Sequence, residues 1–197
     1  MIRSVGKARN QRRGIKAAAG TAVVAMAMMT LSVQTHAGFS PNTTPGSAPH
    51  GTWGQIRNGG FERGASGWVT TGGANAFGGG SHSGYVHMDL VALPQLVVAA
   101  VSQPLRMPSN LRHATLRFWT EDWSCGSSIR LDLSVFSGGR HHLLTTIDGG
   151  AACGNGWREH AVALDGFQGK PVTVRFAARY GTDAVGALFY LDDVSLR

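Results

Sequence analysis

From Arg57 to the C-terminus one pattern recurs: short segments of alternating apolar and polar residues, cut by Gly, Asn, Asp or Pro. Ile129, Leu131, Leu133 and Val135 alternate with Arg130, Asp132, Ser134 and Phe136, and Val172, Val174, Phe176 and Ala178 alternate with Thr173, Arg175, Ala177 and Arg179. Leu116 and Phe118 alternate in the same way with Arg117, Trp119 and Glu121. A period of two sends successive side chains to opposite faces, as an antiparallel sheet buried on one side requires. About ten such segments are expected, near 57–62, 67–72, 84–89, 96–106, 113–122, 128–137, 140–147, 157–164, 171–180 and 187–196. Gly78-Gly79-Gly80, Pro108-Ser109-Asn110, Gly138-Gly139, Asp148-Gly149-Gly150 and Asp165-Gly166 mark turns between them. No stretch holds a 3.6-residue period, and 28 glycines argue against helices. The expectation is an all-β chain of two packed antiparallel sheets.

The first 37 residues stand apart from this pattern. Six basic residues from Arg3 to Lys16 precede an apolar run from Ala17 to Val33, and Thr35-His36-Ala37 supplies small residues at a cleavage position. This order of regions is that of a signal peptide. The apolar run is shorter than the ~20 residues of a membrane helix, so with the leader removed nothing is expected to hold the chain in a membrane. Arg12-Arg13 with Ile15 is compatible with twin-arginine export, but Lys16 interrupts that motif, so both export routes stay open. The expected location is secreted or periplasmic. Residues 38–55, rich in Pro, Gly, Ser and Thr, read as a flexible leader before a single domain over 56–197.

All 11 acidic residues and 12 of the 18 basic ones follow Ala37, which leaves the mature chain at a net charge of +1. A clustered basic footprint for nucleic acid is therefore not expected. Cys125 and Cys153 are the only cysteines, and an even count in an oxidising compartment favours one disulfide.

Six motifs occur in order: N-G-G-F-E-x-G-x-x-G-W at 58–68, H-S-G-Y at 82–85, L-x-F-W at 116–119, G-W-x-x-x-x-V-x-L at 156–164, G-K-P-V-T-V-R-F at 169–176 and F-Y-L-D-D-V-S-L at 189–196. Together they resemble the galactose-binding-like jelly rolls that include family 4 and 9 carbohydrate-binding modules of bacterial secreted hydrolases. The resemblance covers about residues 57–197 and implies a two-sheet antiparallel jelly-roll β-sandwich. It also implies a structural calcium, with Glu62 and Asp192 as ligands. Calcium selects oxygen donors. Asp192 alternates with Val194 and Leu196, which places it on the core side, where a bare carboxylate is costly without a cation or donors. The alternative is that Glu62 and Asp192 accept backbone hydrogen bonds at strand ends.

Sugar binding needs aromatic faces and planar polar groups. Trp68 and Trp157 fall where such modules keep core or strand-edge aromatics. Trp123, beside Glu121 and Asp122 and close to Cys125, is the expected primary platform, with Glu121 and Asp122 as hydroxyl acceptors and Trp119 as a second platform; the alternative is a Trp123 packed over the Cys125–Cys153 disulfide. Tyr85 and Tyr180 are weaker candidates, and Arg130, Asp132 and Arg175 lie on outward registers able to line a groove. Neighbouring carboxylates on one strand face opposite ways, so Glu121-Asp122 and Asp192-Asp193 make poor acid/base couples. Neither H-E-x-x-H nor G-x-S-x-G occurs. The expected function is non-catalytic binding of a polysaccharide or glycan. The alternative is a structural or adhesive domain with a protein partner at the cell surface.

Overall fold

The computed structural model describes residues 55–93, 98–111, 113–123, 129–150, 153–179 and 187–197. The proposed signal peptide and residues 38–54 lie outside them, as do Cys125 and Tyr180. Ten strands are formed: β1 (Val69–Thr71), β2 (Ala74–Gly78), β3 (Val86–Ala92), β4 (Val98–Arg106), β5 (Thr115–Asp122), β6 (Arg130–Ser137), β7 (Arg140–Asp148), β8 (Arg158–Ala163), β9 (Pro171–Arg179) and β10 (Ala187–Leu196). They make two five-stranded sheets, ordered β1-β4-β9-β6-β7 and β2-β3-β10-β5-β8, with every pairing antiparallel. No helix occurs among the described residues. The protein is an all-β jelly-roll sandwich.

The inward registers carry the core. Phe61, Phe118, Phe176 and Phe189 are fully buried. Phe118 of β5 meets Phe176 of β9 edge-on at 4.9 Å, so one aromatic contact ties the two sheets together. Trp68 packs on Phe61 and Phe176 at 5.3 and 6.4 Å, which fixes it as a core residue. Buried Gln103 is fully satisfied: its Oε1 accepts the Arg57 N–H, and its Nε2 donates to the Arg57 and Gly67 carbonyls. It anchors the entry segment to β4.

Two segments differ from the sequence reading. Residues 57–62 form a turn, not a strand. Asn58 and Phe61 adopt left-handed φ values of 49° and 54°, and the Asn58 side chain bonds to Gly64 O, Ser66 O and Arg63 N. An asparagine that satisfies the backbone locally competes with a sheet ladder. Conversely, β2 was not expected. Its Ala-Asn-Ala-Phe-Gly sequence carries little apolar contrast, and it is held by pairing with β3.

Candidate functional site

Two features meet on the outer face of the β2-β3-β10-β5-β8 sheet. The first is a carboxylate corner. The sequence reading put Asp192 on the core side, and this requires correction. Asp192 stands directly opposite Trp119 of β5, on the outward register. A bulge between Asp192 and Ser195, with Asp193 at φ 49°, inserts an extra residue and inverts the alternation for Val194. Asp192 is nevertheless fully buried, because the 82–86 loop folds over it. The His82 and Ser83 N–H groups donate to its Oδ2 at 3.0 and 3.2 Å, and the Asp193 N–H donates to Oδ1 at 2.7 Å. Asp193 binds the same loop, accepting from the Ser83 hydroxyl at 2.8 Å and lying 2.7 Å from His82 Nδ1. Glu62 holds the loop's other end, its Oε1 accepting the Tyr85 and Val86 N–H groups at 2.9 and 3.0 Å.

Burial pushes the Asp192 carboxyl up to about 6, with the neighbouring Asp193 charge adding to the rise and the Ser83, Asp193 and His82 amides opposing it. No three His, Cys, Asp or Glu side chains converge as a metal site among the described residues. A cation here would need carbonyl oxygens alongside Glu62 and Asp192. Glu62 Oε2 accepts none of the described hydrogen bonds, whereas Glu62 Oε1 and both Asp192 oxygens accept backbone N–H groups, the alternative to a metal that the sequence left open.

The second feature is an array of rings. Trp119, Glu121 and Trp123 follow one another on the outward register of β5 and its end, while Tyr190 of β10 pairs with both Glu121 and Asp89. Trp123 is 55% exposed and lies 5.9 Å from Tyr190. Trp157, half-buried, is pinned by its indole N–H to Gly80 O at 3.2 Å and leans toward Tyr190 at 6.3 Å. His82 stacks on Trp119 at 3.7 Å and 14°, which covers one face of that indole. Exposed Phe77 borders the array next to His87.

A polar pair sits among these rings. His87 is 1% exposed, 4.2 Å from the Tyr190 ring and 6.1 Å from Trp157. Its Nε2 lies 2.8 Å from Asp89 Oδ1, yet the alignment is too poor for a hydrogen bond. His87 Nδ1, His87 Nε2 and Asp89 Oδ1 are the buried side-chain polar atoms without a hydrogen bond among the described residues. Burial raises the Asp89 carboxyl's pKa, and the charge of His87, 2.8 Å away, opposes the rise. Burial also raises the Tyr190 hydroxyl, reinforced by Asp89 and Glu121. Buried polar atoms are nearly always satisfied, so His87 Nδ1, the atom of this pair left without any partner, marks a place where water or a ligand belongs.

The structure thus brings Trp119, Glu121 and Trp123 together and separates Asp122 from them. Asp122 is on the inward register, pairs with Phe189, and accepts the Gly150 N–H at 2.7 Å through Oδ2. That carboxylate fastens Gly150 to β5, whose Asp122 carbonyl also accepts the Gly154 N–H. Cys153 is not a free thiol, while Cys125 lies outside the described residues. The sequence reading missed Tyr190, His87 and Asp89. The signal was present: His87 and Asp89 alternate with Met88 and Leu90, and Tyr190 sits two residues before Asp192.

No family model and no curated protein sequence matches this chain. Its fold is found in solved carbohydrate-binding modules. TmCBM61, solved in complex with β-1,4-galactotriose, superposes with a TM-score of 0.55 at 16% identity, covering 72% of this chain and 96% of that one. A structure of carbohydrate-binding modules from the β-sandwich superfamily, described as promiscuous in specificity, gives 0.51 at 14% identity, covering 74% and 63%. The K3 cleaved adhesin domain of Lys-gingipain from Porphyromonas gingivalis gives 0.51 at 16% identity, covering 72% and 96%. At these identities the likeness is one of fold.

Proposed function

We propose that this is an exported, non-catalytic glycan-binding domain whose site is the outer face of the β2-β3-β10-β5-β8 sheet. One observation carries the reading: exposed Trp123 and half-buried Tyr190 and Trp157 flank the His87–Asp89 ion pair, which leaves His87 Nδ1 without a partner. Rings that stack on sugar C–H faces, next to unsatisfied polar groups, are what recognition of a hydroxylated ring needs. Glu121 adds an acceptor on the same face, and Trp119 offers the indole face that His82 leaves uncovered. Asp122 acts instead by holding Gly150 against β5. That structures of this fold include a galactotriose complex and an adhesin domain supports a binding role.

Within this reading Glu62 and Asp192 hold a structural calcium, supplemented by backbone carbonyls, whose role is to lock the 82–86 loop against β10. Cys125 pairs with Cys153 and stiffens the loop after Trp123. Thiol titration of the unfolded, unreduced protein should find no free thiol, and reduction should cost roughly 3 kcal/mol of stability by the chain-entropy account. Two titratable thiols would remove the bridge.

The site is tested by affinity electrophoresis through a panel of neutral polysaccharides, galactans and xylans included. The wild type should be retarded by at least one of them. Trp123→Ala should lose that retardation and keep its melting temperature within a degree or two, because an exposed side chain contributes little to stability. Retention of binding by Trp123→Ala would remove the face from consideration.

A further inference from the structure

The opposite face of the sandwich has a different chemistry. On the outward register of the β1-β4-β9-β6-β7 sheet, Ser102, Arg175, Ser134 and Leu143 lie across β4, β9, β6 and β7. The adjacent row runs Ala100, Ala177, Asp132 and Thr146. Ala100, Ala177 and Ser134 point away from the core yet are essentially unexposed. Short side chains sunk beneath longer neighbours make the floor of a trough along the central strands.

Arginines flank that trough. Arg130 and Arg179 are direct cross-strand partners, a like-charged pairing that costs stability unless something compensates. Asp132 is the acid between them, and both of its oxygens are taken: Oδ2 lies 3.2 Å from Arg179 Nε, and Oδ1 accepts the Thr146 hydroxyl at 2.9 Å. Arg175, half-buried, takes part in none of the described ion pairs. Burial lowers its guanidinium pKa, the Arg179 charge lowers it further, and Asp132 only partly opposes this. An anion beside Arg175 would offset both the burial and the Arg179 repulsion.

We propose that this trough is a second binding surface, for an acidic polysaccharide whose carboxylates engage Arg175 and Arg130 while its hydroxyls meet Ser102 and Thr146. A guanidinium binds a carboxylate bidentately, which gives geometric as well as electrostatic selection. Nucleic acid fits less well, because among the described residues this face offers one ring pair, Phe136 against His141 at 4.8 Å, and no run of rings to stack successive bases. The other sheet's outer face carries Asp89 and Glu121, which would repel a polyanion, while its Glu159 is paired with Arg117. The two surfaces therefore sort ligands by charge.

The test is affinity electrophoresis of the purified protein in gels holding polygalacturonate, its methyl ester, or single-stranded DNA. Polygalacturonate should retard the wild type, and higher salt should weaken it as exposed charge pairs are screened. The methyl ester and the DNA should retard it far less. Arg175→Gln should weaken polygalacturonate binding by about tenfold or more, a lost charge-assisted pair, and Trp123→Ala should leave it unchanged. Arg130→Gln, at the rim, should weaken it in the same direction and serves if Arg175→Gln does not fold. Equal retardation by the ester or the DNA, or no effect of either arginine variant, would overturn the proposal without bearing on neutral-glycan binding at Trp123.

Discussion

Gly59→Ala should be among the most destabilising single substitutions in this domain, costing about 3 kcal/mol or more and loosening the carboxylate corner with it. The reason is distance, not conformation. A Cβ at this position would fall inside the contact shell of the Val194 carbonyl oxygen and press on the Ile56 side chain. The obstructing group is backbone, and it is fixed by the bond from the Val194 N–H to the Gly59 carbonyl at 3.0 Å. Neither partner can move without separating the N-G-G-F-E turn from the C-terminal strand, and with it Phe61 from the core. Thermal unfolding of Gly59→Ala beside Gly64→Ala checks this. Gly64 has open space around its Cβ position, so its cost should come only from its φ of 61°. Equal, small losses for both variants would show that the close approach carries no weight.

The second large effect is a change of sign. An unfolded aspartate titrates near ~3.9, whereas folded Asp192 is pushed up to about 6 by burial. The folded state then holds this proton more tightly than the unfolded chain does. Its contribution is fully present below pH ~4 and is lost as the pH rises through about 6, a difference of roughly 2–3 kcal/mol for a group without solvent access. In excess chelator, the Asp192 contribution should thus make stability fall as pH rises from 4 to 7. Calcium binds the ionised form, so with calcium present the same interval should show stability rising. Saturating metal should add about 3–4 kcal/mol near neutrality. Asp192→Asn should flatten the chelator profile and remove the calcium increment. Identical pH profiles with and without calcium would remove the metal from the account and leave Asp192 as an acceptor for the loop amides.

How far the sequence could be read depended on whether a residue's neighbours were local. β10 was bounded at 187–196 from its own alternation, and the outward placement of Trp119, Glu121 and Arg175 followed from the same period. The period assumes one residue per step, and the bulge at Asp193 breaks that assumption, so the face of Asp192 was misread. The N-G-G-F-E segment looked extended because left-handed φ values at Asn58 and Phe61 leave no mark in composition. Trp123 could be judged exposed from its loop context. Its companions could not be named, because β3, β10 and β5 are distant in sequence and only sheet order makes Asp89, Tyr190 and Glu121 neighbours. Asp122 was assigned to the ligand although its position next to Glu121 already implied the opposite face.

The central claim is that a glycan lies across Trp123 and Tyr190. Oxidative footprinting of the indole rings, mapped by mass spectrometry with and without a retarding polysaccharide, tests it most directly. Trp123, 55% exposed in the free protein, should be oxidised readily alone and be strongly protected in the complex, while buried Trp68 stays unmodified in both. Oxidation of Trp123 at the same rate in the bound and free protein would contradict the account.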